Sequence, residues 1–415
     1  MNTIDVDIAI IGGGAAGLTA ASVTAKAGKS TLVIERTSAL GGVLRQCIHN
    51  GFGLHYFKEE LTGPEYAHRV YLKAMEAGAQ FMTNASVMEI SPVDGGHVLT
   101  VYSGDSGVTL VNCKAVVLAM GCRERCRGNL GIPGERISGI FNAGFAQQLL
   151  NLEGYVPGKK AVIVGSGDIG LIMARRLKWS NVDVECVIEI MPYPAGLSRN
   201  IAQCLEDFNI PLYLSYTVTG IYGKGRVEYI TCAPLVDGKP DLTREKKIEC
   251  DTVLFSVGLV PENELATSCG VVLDKVTNGA IVDGNLMTNV PGIFSCGNVL
   301  HVHDLVDFVS NEAERCGSAA IDYCNSNGTV EVSDSLISAG SLVRYVVPQN
   351  TKSSKRTRFF MRASTIIDKA KLVLKDENNN EIYSKVVRYV KPAEMLSVDV
   401  EIPIAGKYSF NLEEC

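Results

Sequence analysis

The sequence lacks several features that define particular classes of protein. No apolar run approaches the ~20 residues that a membrane-spanning helix needs. The first residues contain no basic segment ahead of an apolar one, so we expect no signal peptide. Positive charge is not in excess: 39 Lys and Arg face 45 Asp and Glu, and the net charge of −6 argues against a nucleic-acid partner.

Paired cysteines at redox or metal-binding spacing are also lacking. The 13 cysteines are an odd and scattered set that contains no CxxC motif, and the histidines form no HExxH motif. We therefore predict no metal site, and we expect thiols in a reducing, cytoplasmic compartment rather than a disulfide framework. The nearest pair, Cys122 and Cys126, has CxxxC spacing, and we interpret it as two incidental thiols on a connecting loop.

Two glycine-rich loops follow apolar, strand-like segments. The first, GGGAAG, comes directly after the apolar run 5–11 and precedes an Ala-rich helical segment. Gly12, Gly14 and Gly17 permit a tight turn, close approach of a pyrophosphate and close packing of the helix. The N-terminus of that helix favours phosphate, and Glu35, at the end of the next strand, can accept hydrogen bonds from ribose hydroxyls.

The second loop, GSGDIG, repeats this pattern later in the chain. Gly165, Gly167 and Gly170 occupy the same three positions, and Glu189 ends the following strand. An acid at that position repels the 2′-phosphate of NADP(H), so we favour NAD(H) over NADP(H). Two dinucleotide sites in one chain suggest one bound redox cofactor and one exchanging nicotinamide nucleotide.

The order of elements predicts an α/β fold with two Rossmann-like dinucleotide-binding domains, one inserted in the other. We assign residues 1–155 and 284–330 to the first domain and residues 156–283 to the second. The later part of the chain changes to β-branched and aromatic runs separated by turn residues. This change predicts an additional antiparallel, β-sandwich-like domain over residues 333–415.

The chain resembles the pyridine nucleotide-disulfide oxidoreductases, flavoproteins with two dinucleotide-binding domains. The resemblance covers roughly residues 1–325 and is carried by GGGAAG, AVVLAMG, GSGDIG, DTVLFSVGLVPEN and TNVPGIFSCGN. It implies FAD in the first site and NAD(P)H in the second. The residues it implies for FAD are Gly12, Gly14, Ala16, Gly17, Glu35, Arg36, Gly42, Val43, Gln46, Val87, Met120, Gly121, Gly297 and Asn298. Those it implies for the nicotinamide nucleotide are Gly165, Gly167, Asp168, Ile169, Gly170, Glu189 and Gly258.

The sequence departs from that family's pattern at two places. The last motif usually ends in Gly-Asp, whereas here Asn298 follows Gly297. An amide can still form hydrogen bonds but carries no charge, so the flavin affinity or potential is expected to differ. Cys47 has no second cysteine at the spacing that glutathione-reductase-like enzymes use.

A closer resemblance rests on GGVLRQCIHNGFGLHYFKEELTGPEYA, GSGDIGLIMARR and CGNVLHVHDLVD. These stretches are similar to flavoproteins associated with bacterial anaerobic glycerol-3-phosphate dehydrogenase, which carry a C-terminal β-extension. The resemblance implies electron transfer from NAD(P)H to flavin beside a dehydrogenase subunit and a small cysteine-rich partner. A β-domain with exposed edges and aromatic residues would suit a dimer or hetero-complex. A weaker similarity, to FAD subunits of dye-linked amine, opine and amino-acid dehydrogenases, leaves that function open. A non-catalytic assembly subunit is a third alternative.

Cys47, His49 and His303 are the candidate catalytic residues. Cys47 could be a redox thiol that cycles through sulfenic acid, a thiolate that tunes the flavin potential, or a buried thiol in a turn. A nearby imidazolium would lower the pKa of the thiol, and we expect His49, His301 and His303 near it. Together, the two glycine-rich loops, the family resemblance and the missing cysteine pair predict an FAD-dependent NAD(P)H oxidoreductase. Its electrons would pass to a partner or small acceptor.

Overall fold

A computed structural model describes residues 2–329 and 331–415. The chain divides into two compact units. The first consists of Met1–Cys122 and Pro261–Cys415, and the second of Arg123–Val260. The second unit is therefore an insertion between two segments of the first, as the predicted architecture requires.

The motifs predict limits of the functional domains at residues 155/156, 283/284 and 333. These limits stay a prediction. The helices of the described residues include none that is both long and apolar enough to cross a membrane.

The chain up to residue 124 forms most of one large sheet and the two helices beside it. Its strands are β1 (Asn2–Ile11), β2 (Thr31–Ile34), β3 (Asn50–Phe52), β4 (Leu61–Thr62), β5 (Gln80–Met82), β6 (Ala85–Val93), β7 (Gly96–Ser103), β8 (Gly107–Leu118) and β9 (Cys122–Glu124). Its helices are α1 (Ala15–Lys26), α2 (Gly63–Glu76) and the 3-10 turn Gly42–Gln46.

The following stretch alternates strands and helices, as the second glycine-rich loop predicts. The strands are β10 (Ile140–Asn142), β11 (Lys160–Val164), β12 (Asp183–Glu189), β13 (Leu212–Leu214), β14 (Tyr216–Lys224), β15 (Arg226–Val236), β16 (Lys239–Pro240), β17 (Lys246–Glu249), β18 (Thr252–Phe255), β19 (Leu259–Pro261) and β20 (Ile293–Ser295). The helices are α3 (Arg127–Leu130), α4 (Ala143–Asn151), α5 (Asp168–Trp179), α6 (Ser198–Cys204), α7 (Glu264–Ser268) and α8 (Val306–Asn325), with 3-10 turns at Glu206–Phe208, Leu242–Arg244 and Gly297–Val299.

The large sheet of the first unit has the order β5-β2-β1-β8-β7-β6, and β20 also pairs with β8. β5, β2, β1, β8 and β20 run parallel, whereas β7 pairs antiparallel with both of its neighbours, β8 and β6. Central residues such as Ile8, Ile10, Val116 and Val117 are fully buried. Both faces of a parallel sheet are covered, which explains why these strands read as continuous apolar runs. Parallel pairing brings the C-terminal ends of β1, β2 and β8 to one edge.

The second unit repeats this arrangement on a smaller scale. Its parallel sheet has the order β10-β18-β11-β12-β13. β14, β15, β16 and β17 form a separate antiparallel sheet. The loop after β11, the end of β12 and the end of β18 lie at the same edge of the parallel sheet, where a dinucleotide binds in doubly wound folds.

The last part of the first unit is a β-domain. Its strands are β21 (Ser335–Ala339), β22 (Val343–Val347), β23 (Asn350–Thr351), β24 (Arg356–Ala363), β25 (Ile367–Asp376), β26 (Glu381–Val390), β27 (Leu396–Glu401) and β28 (Gly406–Glu414). They form a five-stranded sheet, β23-β21-β28-β25-β26, and a three-stranded sheet, β22-β24-β27. Phe359, Met361, Leu372 and Phe410 fill its core. These pairs are antiparallel except for β21 with β28, which is parallel.

Candidate functional site

The first glycine-rich loop is shaped by its own close packing. Gly12 has a φ of +106°, and a Cβ atom there would collide with the Ala119 carbonyl oxygen. A Cβ atom at Gly17 would collide with the Gly12 carbonyl oxygen. Gly14 differs, because a Cβ atom there would meet no atom within 4 Å. Two of the three glycines are thus required by the fold, while the third leaves open space at the N-terminus of α1.

Glu35 holds this loop from the end of β2. Its Oε2 accepts a hydrogen bond from Gly13 N at 2.7 Å. Its Oε1 accepts from Thr37 N at 2.8 Å and from Thr37 Oγ1 at 2.9 Å. A carboxylate has about four acceptor positions, so these three donors leave capacity for a ribose hydroxyl. The neighbouring Arg36 is exposed and forms an ion pair with Glu262 at 3.7 Å.

The segment 41–53 begins beside the first loop. A Cβ atom at Gly42, the first residue of the 3-10 turn, would lie 3.1 Å from Gly14 Cα. Val43 is 61% exposed and Gln46 is half-buried. Of the predicted FAD residues of this turn, Gly42 therefore lies beside Gly14.

Cys47 ends that turn and is buried, with 5% of its surface exposed. Its Sγ donates to the Val43 carbonyl oxygen at 3.3 Å, and its own carbonyl accepts from Gly63 N at 2.9 Å. Burial raises the pKa of the thiol to about 12. The thiol is therefore protonated at neutral pH, which favours the buried-thiol interpretation. His49 has Nδ1 3.0 Å from the Asn50 carbonyl oxygen, and its catalytic role stays a prediction.

The other residues predicted to bind FAD lie around the same sheet. Met120 and Gly121 lie two and three residues after the end of β8, and Gly121 has a φ of +72°. Val87 is half-buried on β6. A Cβ atom at Gly297 would lie 2.9 Å from Ala16 Cβ, so this glycine packs directly on α1. The roles of these residues stay predictions.

The Asn298 side chain bridges two parts of the first unit. Its Oδ1 accepts from His303 N at 3.1 Å, and its Nδ2 donates to Cys122 Sγ at 3.8 Å. Cys126, the second cysteine of the CxxxC pair, instead has its Sγ 3.3 Å from Asn129 Oδ1. The two thiols thus have different partners.

The second glycine-rich loop has the same division of roles as the first. Gly165 has a φ of +93°, and a Cβ atom there would collide with the Ser256 carbonyl oxygen. A Cβ atom at Gly170 would lie 2.8 Å from Ser256 Cβ. At Gly167, before α5, the nearest atom to a Cβ would be Ser256 Oγ at 3.4 Å, an ordinary contact distance. Gly167 thus has room for a side chain in the protein alone.

The carboxylates of Glu189 and Asp168 accept hydrogen bonds from residues in and around this loop. Glu189 Oε2 accepts from Ser166 N at 2.9 Å and from Ser166 Oγ at 2.5 Å. Asp168 Oδ1 accepts from Leu197 N at 2.9 Å and from Asn200 Nδ2 at 2.6 Å.

The other two residues predicted for the nucleotide flank that loop. Ile169 is half-buried in the first turn of α5. Gly258, with a φ of +99°, follows β18 and accepts from Arg125 N at 2.9 Å.

Sequence reasoning missed Glu312, which organises the two buried histidines. Its carboxylate lies 2.8 Å from His301 Nε2 and 3.1 Å from His303 Nε2. The three ligand atoms lie within 4.8 Å of one another, a spacing that could hold a metal ion, although the motifs predicted none. The signal in the sequence is an acidic residue on the buried stripe of α8, between Val309 and Cys316.

Asp307 was also missed, and it orders the loop that follows Cys47. Its carboxylate accepts from Gly53 N at 3.2 Å, from His55 N at 3.0 Å and from Tyr56 N at 2.7 Å. The residue is 2% exposed, so α8 fixes this loop from within the protein.

Comparison with known proteins agrees with this geometry. Residues 6–319 match the family model described as pyridine nucleotide-disulphide oxidoreductase. The chain belongs to this family.

This oxidoreductase is similar to two curated relatives and to one solved structure. It is 29% identical over 302 residues to thioredoxin reductase of Treponema pallidum (strain Nichols), covering 71% of this chain and 89% of that protein. It is 26% identical over 361 residues to mitochondrial dihydrolipoyl dehydrogenase of Caenorhabditis elegans, covering 78% of this chain and 70% of that protein. The crystal structure of T. acidophilum thioredoxin reductase matches with a TM-score of 0.64 and 25% identity, covering 77% of this chain and 98% of that chain.

As a pyridine nucleotide-disulphide oxidoreductase, the protein is an enzyme that uses FAD and NAD(P)H. Its residues fit FAD, because open space at Gly14 adjoins the N-terminus of α1 and Glu35 retains acceptor capacity. The family match ends at residue 319, so the β-domain is additional to it.

Replacing Cys47 with serine tests whether its thiol is neutral or ionised in this oxidoreductase. We expect the rate of flavin reduction by NADH to stay within about threefold of wild type, because a neutral thiol supplies no charge to the reaction. We also expect no long-wavelength charge-transfer band in wild-type protein at pH 7, measured by absorbance. A band that the substitution abolishes would instead place a thiolate on the flavin.

Proposed function

We propose that this flavoprotein takes electrons from NADH and passes them to a partner or small acceptor without a CxxC or CxxxxC disulfide. The observation that supports this most directly is the setting of Cys47. The positions five residues before and after it, where a CxxxxC partner would stand, hold Gly42 and Phe52. The Cys47 thiol is itself buried, and its raised pKa disfavours the thiolate that disulfide exchange requires.

In this proposal, the protein's residues bind and orient the reactants. When bound, FAD accepts hydride from reduced nicotinamide and delivers electrons to a second acceptor. Gly14 and the N-terminal amides of α1 receive the FAD pyrophosphate, and Glu35 receives the ribose. Gly167 and Glu189 do the same for the nicotinamide nucleotide. His303 acts as a positioning residue, because its Nε2 is directed at the buried Glu312.

Glu189 supports NADH as the reductant. The carboxylate is fixed by three hydrogen bonds, two from Ser166 and one from Met191 N at 2.9 Å. Because it cannot turn away, it disfavours a 2′-phosphate at this position.

Changing the charge of Glu189 tests that preference. We expect Glu189→Gln to lower the ratio of kcat/KM for NADH to kcat/KM for NADPH by about tenfold. The amide removes the charge repulsion toward the 2′-phosphate but can still accept a hydrogen bond from Ser166 N. Glu185→Gln on the same strand is the matched control, since Glu185 pairs with Lys160 at 3.4 Å, and it should leave the ratio unchanged. An equal change in both variants would argue against Glu189 as the selector.

The β-domain supports a partner protein as the electron acceptor. β26 is one of the two edge strands of the five-stranded sheet, and Val386 and Tyr389 on it are 54% and 72% exposed. Exposed apolar side chains on an edge strand suit an interface. From the resemblance to glycerol-3-phosphate dehydrogenase-associated flavoproteins, we propose a dehydrogenase subunit and a small cysteine-rich protein as partners, in a dimer or hetero-complex.

Anaerobic addition of reduced nucleotide tests the proposed function. The flavin absorbance of the purified protein should be bleached rapidly by NADH and more slowly by NADPH. Bleaching by neither nucleotide would refute the proposal. It would favour an FAD subunit of an amine, opine or amino-acid dehydrogenase, or a non-catalytic assembly subunit.

A further inference from the structure

We propose that the β-domain positions the Gly297–Asn298 segment for FAD through a buried group, the Glu312 cluster, made of Glu312, His301 and His303. The inference rests on the proposed function and on the prediction, implied by the family resemblance, that Gly297 and Asn298 contact FAD. It gives the β-domain a role in flavin retention in addition to any role in docking.

The Glu312 cluster holds the start of the segment directly. Glu312 Oε1 accepts from Gly297 N at 2.7 Å. The same carboxylate accepts from the Nε2 atoms of His301 and His303, since a carboxylate offers only acceptors. All three side chains are fully buried from solvent. Three N–H donors therefore converge on one buried carboxylate, and one of them belongs to the backbone of Gly297.

The carboxylate remains ionised in this setting. Burial alone would raise the pKa of Glu312, but the interactions with His303 and His301 outweigh it and hold the pKa well below its usual range. A buried charge of this kind is stable only while its donors stay in place. The backbone position of Gly297 and the ring positions of the two histidines are therefore coupled.

The β-domain holds the two histidines from the other side. The Phe360 ring, on β24, lies 5.2 Å from the His301 ring and 5.7 Å from the His303 ring, measured between centroids. The Tyr345 ring on β22 lies 6.4 Å from the His301 ring. These aromatic contacts leave little room for the histidines to move away from Glu312.

Arg362, two residues beyond Phe360 on β24, fixes the loop that carries the histidines. Its guanidinium forms an ion pair with Asp304 and donates to the Val302 carbonyl oxygen at 3.1 Å. Asp304 also accepts from Met395 N at 2.7 Å. The side chains of Arg362 and Asp304 are only 13% and 16% exposed, so solvent screens this pair much less than a surface pair.

The loop transmits this constraint to Asn298, because the His303 backbone N–H donates to Asn298 Oδ1. Gly297 has little freedom to adjust, since it packs against Ala16 of α1. Loosening the Arg362–Asp304 contact should therefore disturb residues predicted to touch FAD, although neither partner is among those residues. Arg362 is thus a positioning residue for flavin retention.

The test is the rate at which full-length, FAD-loaded protein releases FAD, followed by the rise in flavin fluorescence on dilution. We expect Arg362→Ala and the nearly isosteric Asp304→Asn to release FAD about tenfold faster, because each weakens a charge-assisted contact. Glu312→Gln should have at least that effect. Arg362→Lys should restore part of the retention, because it keeps the charge but not the forked geometry.

Arg358→Ala is the matched control on the same strand. Arg358 donates to both carboxylate oxygens of Asp399, at 2.9 and 2.6 Å, and its side chain is 45% exposed. It should release FAD at the wild-type rate. The visible circular dichroism of the bound flavin should change in the Arg362 and Glu312 variants but not in this control, which separates altered positioning from general destabilisation.

Wild-type release rates in Asp304→Asn and Glu312→Gln would overturn the inference while leaving the proposed function intact. Equal acceleration in the Arg358 and Arg362 variants would also overturn it. The wild-type protein could instead contain a stoichiometric metal ion that Glu312→Gln lacks. That result would show that the three side chains form a metal site and not a hydrogen-bonded cluster. A wild-type protein that binds no FAD would overturn the proposed function, and this inference with it.

Discussion

Gly14→Ala should fold normally and fail to retain FAD. The backbone at Gly14, with φ −80° and ψ −170°, suits alanine, and no atom lies within 4 Å of the added methyl group. The methyl would instead occupy the space into which we expect the pyrophosphate to approach. We expect the dissociation constant for FAD to rise on the order of 100-fold, as steric overlap of this kind costs a few kcal/mol.

Flavin fluorescence titration measures that affinity, and thermal unfolding in the absence of FAD measures the fold. Gly104→Ala is the matched control, because its added methyl also meets no atom within 4 Å and it lies outside the loop. It should retain both properties. Gly17→Ala should reduce stability even without FAD, because its methyl collides with Gly12. Normal FAD affinity in Gly14→Ala would contradict the assignment of this loop to the pyrophosphate.

Gly167→Ala should give the complementary result, a protein that keeps FAD but is poorly reduced by NADH. The methyl would make only an ordinary contact with Ser256 Oγ at 3.4 Å, and φ of −65° with ψ of 160° suits alanine. It should obstruct the nucleotide at the N-terminus of α5. We expect the KM for NADH to rise on the order of 100-fold, with FAD content unchanged.

Stopped-flow reduction at increasing NADH concentration measures this effect, and absorbance gives the flavin content. Gly14→Ala, reloaded with excess FAD, serves as the reciprocal control and should retain the wild-type affinity for NADH. Loss of FAD from Gly167→Ala, or unchanged reduction by NADH, would contradict the separation of the two sites between Gly14 and Gly167.

The elements that the sequence predicts well depend on local signals. The loop around Gly12 follows an apolar run and precedes a helix, so turn, strand and helix can each be recognised from neighbouring residues. The pattern of apolar residues also predicts a helix over residues 305–324, and the observed α8 (Val306–Asn325) differs from it by one residue at each end. Helix periodicity is retained over twenty residues, which makes such a segment easy to detect.

The features that sequence analysis missed depend on distant contacts. β21 is a short strand whose parallel partner, β28, begins about seventy residues later, so no turn signal indicates the pairing. The Arg362–Asp304 contact joins residues 58 apart. Glu312 likewise gains its role only when the fold places His301 and His303 against it. The catalytic and cofactor roles assigned to individual residues remain predictions that the variants above test.

The most direct test of electron transfer without a disulfide is an anaerobic titration that counts the NADH equivalents consumed per bound FAD. Full reduction should require one equivalent, because the flavin takes two electrons and no disulfide takes two more. A requirement for two equivalents, with a matching gain in titratable thiols, would contradict electron transfer without a disulfide. The neighbouring thiols of Cys296 and Cys316, both buried, would then be the first pair to examine, through Cys316→Ala.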